Sequence, residues 1–201
     1  ILSPAPRDVF PIADYRNSFL EVAQKDFTVK DEVLGVALYA DTLGIYYNTE
    51  MFNSAGIINP PQDWDEFTDI SRRMTKRKPS GDIFISGVAL GAAKNILNGA
   101  DILALLMIQN GVYMSDANGR INFKASSGGG EARQAEKALD FYTSFAKPSE
   151  PNYSWPKDSK INSEEAFAQN KVAMIIDYSG TGDSLIRKNP RLKFGVAPIP
   201  Q

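Results

Sequence analysis

Apolar positions in this chain gather into short β-rich runs separated by stretches with helical spacing. One segment stands apart. From Gly35 to Asn48, two apolar runs, Val36-Ala37-Leu38 and Leu43-Gly44-Ile45-Tyr46-Tyr47, flank the polar step Tyr39-Ala40-Asp41-Thr42. Such composition predicts one long, nearly uninterrupted strand with a break at its centre. Residues two apart on an extended chain share a face, so Tyr39 and Asp41 are expected to be presented together. Two explanations of the polar step stay open: a bend where the strand surfaces, with Asp41 capping local backbone, or a crossing between two lobes whose cleft the step would line.

The remaining pattern alternates helices and strands. Pro4, Pro6 and Pro11 predict an extended opening segment, followed by one short helix from Asp14 to about Phe27 with Phe19, Val22, Ala23 and Phe27 on one side. Lys30-Asp31-Glu32 reads as a polar turn. After Asn48 a short helix over 50–55 is expected, with Gly56 just past its end. Asp63 and Glu66 stand in capping-box register before an apolar stripe of Trp64, Phe67, Ile70 and Met74. The basic group Arg72, Arg73, Lys76, Arg77 and Lys78 follows and reads as a solvated face at a helix C-terminus, with a lipid or partner patch as the alternative.

Further on, Ile83 to Leu90 predicts a strand, 91–99 a polar loop, and Ile102 to Asn110 a helix apolar almost all round and therefore buried. Asp116 to Gly119 is a hairpin turn signal. A calcium loop there fails at its twelfth position, Ser127, where such a loop needs Glu. Ser126 to Gly130 is a glycine loop without the Lys-Ser/Thr that a phosphate cradle requires. A helix is expected over 131–146 through Ala132, Ala135, Leu139, Tyr142 and Phe145, then an irregular stretch to 162. Ser163 is expected to cap the next helix, Lys171 to Asp177 to be a buried strand, and Lys193 to Pro198 the last strand. The fold class is therefore α/β.

Composition narrows the chemistry. The 201 residues carry 22 basic and 24 acidic side chains, a net charge of −2, so no global field recruits nucleic acid or an anionic membrane. There is no His and no Cys, which removes thiol chemistry, Cys/His zinc sites and Ser-His-Asp triads. No cofactor and no metal is expected. No apolar run approaches the ~18 residues of a membrane span. The chain opens without a start methionine and closes on a strand running into Gln201, and it reads as an excerpt of something longer.

Several segments, in this order, carry a family resemblance: ADTLGIYYN followed by a short helix and PPQDWDEF, then a buried helix ending QNG, DANGRINF, EEAFAQNKVAMIID, and a terminal FGVAPIP. Together they resemble the extracytoplasmic solute-binding proteins of bacterial ABC importers, in particular the carbohydrate-type family that includes maltose-binding protein. The resemblance implies a periplasmic-binding-protein-like (type II) lobe, a mixed sheet flanked by helices and joined to a first lobe by crossing strands. Residues 1–38 would be the end of the first lobe and the first crossing. Residues 39–195 would be the second lobe, and 196–201 the return crossing.

The resemblance further implies a small polar solute, with carbohydrate favoured. Asp41 would accept hydrogen bonds from solute hydroxyl or amine groups, with Tyr39 beside it. Where the family places a tryptophan against a sugar face, this chain reads Tyr178-Ser179-Gly180; Gly180 takes that place, and Tyr178 or Trp155 is a substitute ring. Asn98 and Asp101 are a helix cap or solute contacts. The implied partners are the solute and a membrane permease, the expected state is a monomer, and the location is periplasmic or a cell-surface lipoprotein. Two other functions compete: a carbohydrate-active enzyme with paired carboxylates drawn from Asp63, Asp65 and Glu66, and a surface protein or isolated lobe that binds no solute.

Overall fold

The computed structural model describes residues 3–115, 120–121 and 130–201, with side chains from 133 onward in the last span. The chain divides at Thr42/Leu43 into two compact units.

The first unit holds two helices where the sequence suggests one: α1 (Ile12–Ser18) and α2 (Glu21–Phe27). Phe19 (φ −117°, ψ 151°) and Leu20 (φ −60°, ψ 149°) are extended and break the run. The break is held by Gln24, whose side-chain amide donates to the carbonyls of Arg16 (2.8 Å) and Phe19 (2.7 Å). An amide NH2 has two donors, enough for two carbonyls at a helix end. Phe19 turns back to stack on buried Tyr15, with ring centroids 4.5 Å apart. The predicted side is therefore split: Ala23 is buried, while Val22 and Phe27 face solvent. The polar turn is a two-residue hairpin loop between β1 (Thr28–Val29) and β2 (Glu32–Val33). Lys30 (φ 51°) and Asp31 (φ 61°) are both left-handed, as a type I′ turn requires.

The long strand predicted over 35–48 is shorter. Only Leu43–Asn48 (β3) is strand; residues 34–42 belong to no ladder among the described residues. Leu38 and Tyr39 are 92% and 85% exposed. An apolar, β-prone run becomes a strand only where another strand pairs with it, and among the described residues none pairs with Val36–Leu38.

The second unit is a mixed sheet wrapped by helices. After β3 come α3 (Thr49–Ser54), α4 (Trp64–Met74), β4 (Lys76–Arg77), β5 (Ile83–Val88), α5 (Gly99–Gln109), α6 (Gly130–Ser144), α7 (Ser163–Ala168), β6 (Val172–Tyr178), α8 (Thr181–Lys188) and β7 (Phe194–Ala197). The strand order is β4-β5-β6-β3-β7. Only β5 and β6 run parallel; β4 with β5, β6 with β3, and β3 with β7 are antiparallel. Central β6 is buried from Val172 through Asp177. A strand covered on both faces needs a continuous apolar run, and Val-Ala-Met-Ile-Ile supplies it. Its four large side chains each contribute about 1.5–3 kcal/mol by leaving water.

Helix α4 starts as its sequence signals: Asp63 Oδ1 accepts from the Glu66 amide at 2.8 Å. The return arm of the box lands one residue early, where Glu66 Oε2 accepts from the Gln62 amide. Phe67, Ile70 and Met74 are buried. The helix lies so close to β5 that a Cβ on Gly87 would collide with the Ser71 carbonyl. Three other expectations change. Helix α5 buries only Ile102 and Leu106, and Ile108 is 56% exposed, so its all-round apolarity is not matched by all-round burial. In α6 the buried stripe runs through Ala138 and Tyr142 to Phe145 just past its end, leaving Leu139 exposed. Helix α7 is capped by Asn162, whose Oδ1 accepts from the Glu165 amide, and Ser163 is its first residue. The turn at Asp116–Gly119 and the loop at Ser126–Gly129 lie outside the described residues; a bridge between Ser115 and Ile121 flanks the former.

Candidate functional site

The C-terminal end of β6 is where this buried sheet releases its chain to the surface. Asp177 is the pivot. It closes an apolar strand opposite Gly44 of β3, yet only 2% of it is exposed. Its Oδ1 accepts from the Tyr178 amide (2.8 Å) and from Asn98 Nδ2 (2.7 Å). Oδ2 is buried without a hydrogen-bond partner among the described residues. Burial pushes the Asp177 carboxyl above its ordinary range; the Tyr178 amide and the Thr181 and Asn98 side chains pull it back, and the Glu164 charge pushes it up again. Glu164 is itself buried, pairing with Lys188 at 2.9 Å through Oε2.

Asn98 reaches Asp177 because of its backbone. It sits at the N-cap of α5 in the left-handed region (φ 56°, ψ 25°) and makes no side-chain cap bond. Asparagine tolerates that conformation better than most residues, and the side chain so freed crosses to β6. The loop preceding it is fastened by Asn95, whose Nδ2 lies 3.3, 3.4 and 3.1 Å from the carbonyls of Pro156, Lys157 and Ser159. Asn95 Oδ1 accepts from Trp155 Nε1 at 2.8 Å. Burial raises the Tyr142 phenol, which donates to the Ala92 carbonyl, to about 12.

Beyond Asp177 the chain is open. Tyr178 is half-buried, while Ser179 and Gly180 are exposed. Beneath them the buried Tyr46 hydroxyl lies 2.9 Å from the carbonyls of both Tyr178 and Ser179. Gly180 then caps α8 with no side chain of its own. A loop built this way presents a ring, a hydroxyl and backbone groups above the buried Tyr46 side chain.

Of the residues singled out in the sequence, Asn98, Tyr178, Ser179 and Gly180 gather at this end of β6. Asp101 lies exposed in the first turn of α5. Trp155 is elsewhere in kind: it is 3% exposed within the core, with its N–H engaged by Asn95, so neither ring face is open. Tyr39 and Asp41 belong to the first unit. Both are exposed, and Asp41 Oδ1 accepts from the Thr42 amide at 2.8 Å, the local bond expected of a polar bend. Sequence reasoning missed Asp177, Tyr46 and Asn95. The one available signal was a carboxylate ending the run Val-Ala-Met-Ile-Ile. Among the described residues no three His, Cys, Asp or Glu side chains cluster as metal ligands, and no helix is long and apolar enough to cross a membrane.

Residues 3–201 match the family model described as bacterial extracellular solute-binding protein. A relative from Brucella abortus (strain 2308), described only as a binding protein, is 24% identical over 97% of this chain and 44% of its own length. A multiple sugar-binding protein of Streptococcus mutans is 23% identical over 92% of this chain and 43% of its length. Among solved structures, an ABC transporter solute-binding protein from Thermotoga lettingae bound to α-D-tagatose aligns with a TM-score of 0.73 and 22% identity, covering 99% of this chain and 49% of that one. The chain spans less than half the length of the proteins it matches. The likeness establishes the fold, a type II periplasmic-binding-protein architecture.

Proposed function

As the chain belongs to the bacterial extracellular solute-binding protein family, we propose that it supplies one wall of a site capturing a small polar solute, a sugar or oligosaccharide, for an ABC-type importer outside the cytoplasm. The observation that carries this reading is the Tyr178-Ser179-Gly180 loop, half-buried at Tyr178 and exposed at Ser179 and Gly180, held by buried Asp177, half-buried Asn98 and the Tyr46 hydroxyl. A solute held in a largely dry site needs polar groups fixed in advance, because mobile ones would lose entropy on binding. Tyr178 offers a ring to an apolar sugar face. Ser179 and the amides at the start of α8 offer partners to hydroxyls. Tyr39 and Asp41, in residues 1–42, and Asp101, in the first turn of α5, are further proposed solute contacts.

In this proposal residues 1–38 are the end of a first lobe and first crossing, 39–195 the second lobe, and 196–201 the return crossing. The protein works as a monomer with a membrane permease as its partner, held at the surface or in the periplasm, and it turns nothing over. Of the paired-carboxylate candidates Asp63, Asp65 and Glu66, two accept from backbone amides at the start of α4, Asp63 from Glu66 and Glu66 from Gln62, which supports the binding reading.

Calorimetry of the intact protein against mono- and oligosaccharides tests the reading. Saturable binding without product, weakened about tenfold or more by Asp41→Ala or Tyr178→Ala, is expected. Product release from a bound glycan, or no binding across sugars, amino acids, peptides and polyamines, would overturn it.

A further inference from the structure

The far end of β6 borders a different cavity, of about 740 Å³, within the range usual for small-molecule sites. It opens where β3 ends and β6 begins, among α3, the end of α4, β4 and β5. At about 3.3 Å per residue, the seven residues of β6 separate it by roughly 20 Å from the Tyr178 loop.

The basic group that follows α4 divides here. Arg72 donates to Asn152 Oδ1 at 3.0 and 2.7 Å and pairs with Asp69. Arg77 lies over the Tyr153 ring, 4.8 Å from its centroid, and donates to the Tyr153 carbonyl. Arg73 and Lys76 instead line the cavity, and neither forms an ion pair among the described residues. Arg73 gives one donor to the Ala55 carbonyl at 3.2 Å and keeps the rest of its guanidinium. Asn48 closes its amide on Asn170 Oδ1 at 2.7 Å, which leaves Asn170 Nδ2 as another donor without a partner among the described residues. The only acid on the lining is Glu50.

Ser54 and Ala55, at the end of α3, line it too, and its large apolar walls are Met51, Met74 and Ile85. Thioether side chains are unbranched and adapt to flexible aliphatic bodies. We propose that this cavity is a second binding site, taking a small amphiphilic anion with its head group between Arg73 and Lys76 and its aliphatic body over Met51, Met74 and Ile85. The head is a carboxylate or a phosphate, since a guanidinium fork and an ammonium donate to both.

The test is a titration of the intact protein, carrying 13C-methyl methionine, with octanoate and octyl phosphate in one arm and octylammonium in the other. Signals are assigned through Met51→Leu and Met74→Leu. Saturable shifts of Met51 and Met74 by the anions, with Met174 unmoved, are expected. The R73Q/K76Q double variant should weaken the anions about tenfold or more, and Glu50→Gln should strengthen them. Both positions are exposed, so folding of the variants is expected and is checked by circular dichroism. The proposal is overturned if Met51 and Met74 do not shift, if octylammonium binds as tightly as octanoate, or if the charge-neutral variant binds the anions unchanged. Octanoate binding without octyl phosphate would assign the head group as carboxylate, and the converse would assign phosphate.

Discussion

Replacing Asn98 separates what its side chain does from what its backbone does. In Asn98→Ala, Asp177 loses the donor at 2.7 Å; with the carboxylate ionised, such a bond contributes about 1.5–3 kcal/mol. Alanine must also adopt φ 56°, at a cost of about 1–2 kcal/mol for a left-handed residue with a Cβ. The summed loss is about 2.5–5 kcal/mol. Asn98→Gly removes the same bond without the strain, although the unfolded chain gains freedom equivalent to about 0.5–1 kcal/mol. The glycine variant should therefore be the milder by roughly 0.5–1 kcal/mol. Urea denaturation of the intact protein and both variants at pH 8 measures these values, and calorimetry with a bound sugar should show weaker affinity in both. A loss below about 1 kcal/mol in Asn98→Ala, or a glycine variant worse than the alanine one, would refute the reasoning that this bond anchors the loop.

Three further outcomes follow from the same elements. The Asp177 carboxyl is raised from its ordinary 3.8, so between 3.8 and its folded value the native protein holds a proton that the unfolded chain has lost; stability therefore falls as pH rises through that window. Asp177→Asn should remove that slope, read as the difference between wild-type and variant urea midpoints from pH 3.5 to 8. Gly87→Ala forces a Cβ into the Ser71 carbonyl and should cost about 1–3 kcal/mol or more, because α4 must lift from β5; unchanged urea stability would contradict the close approach. Tyr46→Phe removes a donor from the carbonyls of Tyr178 and Ser179, so it should lower stability by about 1–2 kcal/mol and weaken sugar binding with secondary structure intact by circular dichroism.

Much of the fold was legible because local rules and tertiary demands agree. The run ending at Asp177 had to be a buried strand, and Asp63 with Glu66 had to open a helix, since each pattern satisfies itself within a few residues. Legibility failed where the deciding partner lay elsewhere. The apolar run at Val36–Leu38 has the composition of a strand and joins no ladder among the described residues. Trp155 has the composition of a stacking ring and is spent on the core, because Asn95, sixty residues away, takes its N–H. Gln24 breaks a helix whose periodicity gave no warning, by reaching carbonyls on the preceding turn and at the break.

The same distinction separates the visible part of the candidate site from the part that makes it work. Tyr178, Ser179 and Gly180 could be found from their place after a buried strand. Their support could not, since Asn98 and Asp177 stand 79 positions apart and Tyr46 reaches its two carbonyls from 132 and 133 positions away. Yet the support is the costlier part of the construction. A carboxylate 2% exposed, with one oxygen unpartnered, disfavours its own charge, and two or three hydrogen bonds only partly offset that. A neutral residue would hold the strand more cheaply. An acid in that position makes chemical sense if the loop above must be fixed by strong, directional bonds to a single oxygen, because charge-assisted bonds exceed neutral ones by about twofold. In the proposed site the loop's affinity would depend on a residue only 2% exposed, and Asp177→Asn should flatten the pH profile of stability while weakening sugar binding.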